Sequence, residues 1–298
     1  MFPIIPANSV TAASGNDEGI FGFGKNGSIT NLVSNAGVVS SDVTGVGTDR
    51  QTLAACEYGG DKGIFGFGAF ATQLAVTNLV SNAGVVASDQ AAVTGTAKAE
   101  LAACSYGDDK GIFGYGWNGS GHTVTTNLVS NAGVVSSDVT GVGTARSDLA
   151  ACEYGGDKAI FGFGNYSGGA VLSMTNLVSN AGVVSSDVTG VGTARRQQGA
   201  CGYGGDKGIF GYGNTGSKVS MTNLVSNAGV VASDVTGVGT ARKYLAATQY
   251  GQDKGIFGYG HDGSYASMTN LVSNAGVVAT DVTGVGTDRD KLAACSFN

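Results

Sequence analysis

Charged residues are scarce in this chain of 298 amino acids: Asp, Glu, Lys and Arg make up 13%, about half the ~25% usual in soluble domains. Because 42% of the residues are hydrophobic, a disordered tail is excluded, since such tails combine high charge with few apolar groups. Histidine is nearly missing. The only two, His122 and His261, cannot build a His-rich metal centre, and neither an H-E-x-x-H helix nor a Ser-His-Asp arrangement can be assembled. Glutamate is confined to Glu18, Glu57, Glu100 and Glu153, which speaks against an enzyme built on a carboxylate pair in unlike environments. Sixteen Lys and Arg stand against 22 Asp and Glu, a net charge of -6, so a nucleic-acid backbone would be repelled. No run approaches the ~18 apolar residues of a membrane span, and the opening MFPIIPANSV has no basic n-region and too short an apolar run for a secretion signal. Neither membrane insertion nor classical secretion is expected.

Glycine is abundant, at 52 residues, but it does not fall at every third position as collagen requires. It belongs to a repeat. Ile-Phe-Gly-Phe/Tyr-Gly begins at Ile20, Ile64, Ile112, Ile160, Ile209 and Ile256, and Asn-Leu-Val-Ser-Asn-Ala-Gly-Val-Val follows from Asn31, Asn78, Asn127, Asn176, Asn223 and Asn270. A third segment, DVTGVGTAR at Asp138 to Arg146, closes each unit, and only DQAAVTGTAK at Asp89 to Lys98 departs much from it.

Each unit reads as four short strands. In the fourth unit they are Leu149 to Tyr154, Ala159 to Gly164, Met174 to Ser179 and Gly182 to Val188. These runs are rich in Val, Phe, Tyr and Thr and bounded by turn formers, and no apolar period of 3.6 residues is sustained anywhere. A four-strand unit repeated at ~40 to 50 residues has the period of a propeller blade. The fold class is therefore all-β: a six-bladed β-propeller of four-stranded antiparallel blades, with an open solenoid as the structural rival. Small residues crowd the innermost strands, and the five cysteines, Cys56, Cys104, Cys152, Cys201 and Cys295, all occupy one place there. They read as small buried apolar groups rather than disulfide or metal partners.

The ends carry an irregularity. Leu292 to Phe297 copies the first strand after the sixth unit, while Ser9 to Gly15 aligns with the same strand before the first unit. The expected division is an N-terminal extension at 1–8 and a propeller at 9–298, its ring closed by the C-terminal strand. The rival arrangement pairs one of the two end strands with a neighbouring molecule.

The order Thr144-Ala145-Arg146, Leu149-Ala-Ala-Cys, Gly155-Gly-Asp-Lys and Ile160-Phe-Gly-Phe-Gly resembles Kelch-type propellers. It differs from them in that Phe or Tyr splits the paired glycines and the sole tryptophan is Trp117. Arrays of GIFGYG and SNAGVV also resemble repeat proteins of tailed bacteriophages, which implies a virion component.

No cofactor or metal is expected. Gly22, Gly24 and Gly27 match G-x-G-x-x-G, but a strand follows where a dinucleotide site needs a helix. The units differ in the loop after the second strand and in the link before each first strand, and antiparallel order puts both on one side of the disc. That variable face is expected to carry Phe70, Trp117, His122, Tyr166, Lys218, His261 and Tyr265, with Arg146, Arg195 and Arg242 beside them. Exposed aromatics next to polar groups stack on sugars or anchor partners. The expected function is a non-enzymatic structural or adhesive virion component, a capsid decoration or a tail- or fibre-associated propeller made in the host cytoplasm. It would contact other virion proteins or a host-surface glycan or protein, and could form a homo-oligomer. The alternatives are a free carbohydrate- or protein-binding propeller and, behind it, a glycan-cleaving enzyme.

Overall fold

The computed structural model describes residues 17–25, 27–90 and 95–297, so the expected extension at 1–8 and the aligned segment at 9–15 lie outside the described residues. Eighteen strands follow in chain order. They are β1 (Glu18–Gly22), β2 (Thr30–Val33), β3 (Ala54–Tyr58), β4 (Lys62–Gly66), β5 (Thr77–Val80), β6 (Ala102–Tyr106), β7 (Lys110–Gly114), β8 (Thr126–Val129) and β9 (Ala150–Tyr154). The rest are β10 (Lys158–Gly162), β11 (Thr175–Val178), β12 (Gly199–Tyr203), β13 (Lys207–Gly211), β14 (Thr222–Val225), β15 (Ala246–Tyr250), β16 (Lys254–His261), β17 (Tyr265–Val272) and β18 (Ala293–Phe297). The only helical element among the described residues is one 3-10 turn, Ser167–Gly169.

The strands form six antiparallel three-stranded sheets, an arrangement consistent with a six-bladed propeller. Sheet 1 is β18-β1-β2, and sheets 2 to 6 are the consecutive triplets from β3 to β17. The last strand thus pairs with the first, Cys295 opposite Ile20. First strands pack side by side in the order β18, β3, β6, β9, β12, β15, and β15 touches β18 again.

The fourth segment is not a strand, contrary to the sequence reading. In sheet 4 it meets β11 only through bridges at Val178–Val184 and Thr175–Val188, whose registers differ by one residue, the mark of a bulge. The buried Asn176 explains the interruption. Its Nδ2 donates to the Ser185 carbonyl at 3.0 Å, taking the acceptor that a ladder bond would use. Asn78 does the same with Ala87 O in sheet 2.

Middle strands are covered on both faces, so Ile160 and Phe161 are equally buried and the two-residue alternation disappears. Close approach between sheets depends on glycine. A Cβ on Gly66 would lie 2.6 Å from Phe113 Cζ in the next sheet, and a Cβ on Gly63 would lie 2.5 Å from Cys295 Sγ. All five cysteines are free and buried, and burial pushes their thiols up from the usual range, consistent with packing groups rather than nucleophiles.

Candidate functional site

The arginines expected on the loop face are fully buried, which removes Arg146, Arg195 and Arg242 from any solvent-facing site. Each belongs to a clamp between sheets. Arg146 Nε donates to Phe163 O at 2.9 Å and Nη2 to Asn176 Oδ1 at 2.7 Å, while the guanidinium lies 4.3 Å from the centroid of the Tyr115 ring in the preceding sheet. Arg195 and Arg242 stack likewise on Phe163 and Tyr212, and Arg242 repeats both donations, whereas Arg195 Nε and Nη2 and Asn223 Oδ1 have no partner among the described residues. Asp187 stands 3.9 Å from Arg146 and accepts from Asn176 and from Thr144 N and Oγ1. Burial raises the Asp187 pKa, but these hydrogen bonds and the Arg146 charge outweigh it and hold the carboxyl below its usual range. A planar, delocalised cation tolerates such a place better than an ammonium does.

The clamp on sheet 3 holds a lysine. Lys98 stands in for arginine, its Nζ donates to Thr125 O at 3.2 Å, and Asn127 Oδ1 is left without a donor. Burial pulls the Lys98 pKa down from 10.5 to about 8, against the pull of Asp138. Between those values the unfolded chain binds a proton that the folded one lacks, so this residue makes stability rise with pH from 8 to 10.5. Lys98→Arg should supply the missing donor and stabilise the protein by about 1 kcal/mol at pH 7. Urea unfolding at pH 7 and pH 10 checks it, the gain being smaller at the higher pH.

The remaining predicted residues lie on five different sheets, His261 and Tyr265 at the facing ends of β16 and β17 and the others on loops, and do not converge. Phe70 is 71% exposed and borders a cleft of about 300 Å³ with Lys25, Asp49 and Gln51. Trp117 and His122 form an edge-to-face pair at 5.1 Å, and His261 and Tyr265 another at 5.7 Å. Tyr166 is exposed, and Lys218 bridges to Asn214 within its own hairpin. Links and loops do share one side, because Ser147 pairs with Asn165 and Ala99 with Trp117.

A feature unmarked in the sequence lies between those loops, at the axis. Just before each first strand sit Thr52, Glu100, Asp148, Gln197, Tyr244 and Lys291, all with left-handed φ between 54° and 62°, a conformation costing non-glycine residues of order 1 kcal/mol. Their backbones hold one another. Glu100 N donates to Thr52 O, Asp148 N to Glu100 O, Gln197 N to Asp148 O, Tyr244 N to Gln197 O, Lys291 N to Tyr244 O and Thr52 N to Lys291 O, each at 2.8–2.9 Å. No two units share a side chain here, nor at the preceding position, which holds Gln51, Ala99, Ser147, Arg196, Lys243 and Asp290.

The side chains ring a hollow of about 80 Å³, room for several waters. Ser147 Oγ donates to Glu100 Oε2 at 2.8 Å. Gln197 Nε2 donates to Asp148 Oδ2 at 2.8 Å and to Tyr244 OH at 2.6 Å, leaving the buried Gln197 Oε1 without a donor. The ammonium groups of Lys243 and Lys291 lie 5.1 and 5.0 Å from the Tyr244 ring centroid. Burial and then the Glu100 charge raise the Asp148 pKa to about 6, against the Gln197 hydrogen bond and the charges of Arg196 and Lys291.

The folded state therefore keeps this proton to higher pH than the unfolded chain, whose carboxyl titrates near 3.8, and stability falls as pH rises from 3.8 to 6. Asp148→Asn should be more stable than the parent at pH 7 by about 1–2 kcal/mol, allowing for solvent screening of a partly exposed group. Thermal melts at pH 7 and 3.5 check it, with no difference expected at the lower pH. At the other end of the axis Glu57 accepts from Ser296 and Glu153 from Ser105, so these two carboxylates are met by the chain's own hydroxyls.

No protein-family model and no curated protein matches the sequence. Among solved structures, one titled "Structure of YjhT" superposes with a TM-score of 0.67 at 10% identity, covering 88% of this chain and 94% of its own. The likeness shows a propeller-like fold. At that identity it carries the architecture alone, so any activity has to be argued from this chain's own axial ring and loops.

Proposed function

We propose that this chain is a non-enzymatic binding module, a closed six-bladed Kelch-like wheel whose loop-bearing face, centred on the axial ring, contacts a partner. One observation carries the reading: units whose strands and turns agree closely use twelve residues without repetition within either axial position. Duplication alone copies side chains, and six unlike ones around one hollow make a surface that recognises a partner of low symmetry. The circuit of backbone hydrogen bonds, together with Thr287 N and Oγ1 donating to Asp42 across the two ends of the chain, supports the closed wheel.

The biological setting is a viral particle, in which the repetitive side and sheet edges serve assembly. This part of the proposal rests on the resemblance of the GIFGYG and SNAGVV arrays to phage repeat proteins. Purified particles should contain the protein at fixed stoichiometry, and its absence from them would remove the virion setting. The Phe70 cleft favours a second reading, a free carbohydrate-binding propeller, since an exposed ring beside polar groups suits a sugar face. A glycan array should then show saturable binding that Phe70→Ala abolishes.

A further inference from the structure

The axial ring separates its charges. Glu100 and Asp148 are adjacent in the hydrogen-bonded circuit, and Lys291 is three places from Asp148, across the axis. The Lys291 ammonium rests on the Tyr244 ring, with Lys243 on the same ring and the Asp290 charge meeting both. Gln197, 6% exposed, lines the hollow and commits both amide hydrogens to Asp148 and Tyr244, which holds that carboxylate and that ring in place.

A simple anion would face two carboxylates, and a simple cation would face Lys291. We propose that the hollow binds a small zwitterion, the head group of an α-amino acid, with its ammonium between Glu100 and Asp148 and its carboxylate on Lys291. The side chain of such a ligand would point out toward the loops. This rests on the reading of the loop face as the binding face, and it names the ligand chemistry of its centre. Asp148 also meets Arg196 and Tyr244, and the charge on Arg196 balances the second carboxylate when the site is empty.

The test is calorimetric titration of the full chain at pH 7.5 with three probes: glycine, glycinamide, which offers only the ammonium, and N-acetylglycine, which offers only the carboxylate. Glycine should bind saturably, and each one-headed analogue at least about tenfold more weakly, the loss expected for one charge-assisted hydrogen bond. Asp148→Asn and Lys291→Met should each weaken glycine by a similar factor. Because Asp148→Asn is expected to be more stable at neutral pH, a loss there reports the site and not unfolding. Equal binding of glycinamide and glycine, or no heat with any probe at millimolar concentration, overturns the proposal. If glycine fails while Phe70→Ala, Trp117→Ala or Tyr166→Ala still weakens contact with particle or host, the zwitterion site falls and the loop-face reading stands.

Discussion

Arg146→Met should lower stability by about 3 kcal/mol, the lower end for removing one member of a buried charged pair, and Tm by roughly 6–10 °C for a chain of this size. The methionine fills the space over the Tyr115 ring but offers no donor to Phe163 O or to the buried Asn176 Oδ1. It also removes the charge that helps keep Asp187 ionised. Arg146→Lys should cost less, because Lys98 already occupies the same place on sheet 3 with one acceptor unmet. Urea denaturation of the two variants decides the matter. An unchanged midpoint in the methionine variant would mean that the clamp contributes nothing.

Gly66→Val should have a larger effect, preventing folding or costing more than about 3 kcal/mol, above the usual range for overpacking. The new Cβ alone falls 2.6 Å from Phe113 Cζ. That ring is fully buried and held edge-on by Phe67 at 5.2 Å, so it has nowhere to swing. Gly66→Ala gives a milder form of the same clash and remains measurable if the valine variant yields no soluble protein. Gly121→Ala is the control, since nothing lies within 4 Å of its added Cβ. Equal stability of Gly66→Ala and Gly121→Ala would contradict the packing account.

Periodicity made the all-β class and the six-fold repeat legible, because IFGFG and TNLVSN recur with strand-forming residues between turn formers. It did not show that the fourth segment stays out of the ladder. Asn176 looks like a turn former in sequence, and only its burial beside Ser185 O and Asp187 shows that it interrupts the pairing. The arginines misled for a similar reason. Arg146 follows glycine-rich turns and reads as surface charge, yet an aromatic ring of one sheet and an amide of the next enclose it.

At the site, Phe70 and Tyr166 were readable as exposed loop aromatics because nothing in their units asks for a buried ring there. The axial residues were not singled out. Glu100 and Asp148 sit in short links nearly fifty residues apart, and only the circular arrangement of the units brings them side by side. The available signal was two adjacent columns of six unlike residues between columns of like ones.

Hydrogen exchange on β1 tests the central claim, that the two ends of the chain meet in one wheel. With β18 on one side and β2 on the other, the amides of Gly19 to Gly22 are expected to be as protected as those of the middle strands β7 and β10. Exchange of β1 at the rate of an edge strand, with β7 and β10 still protected, would contradict the account.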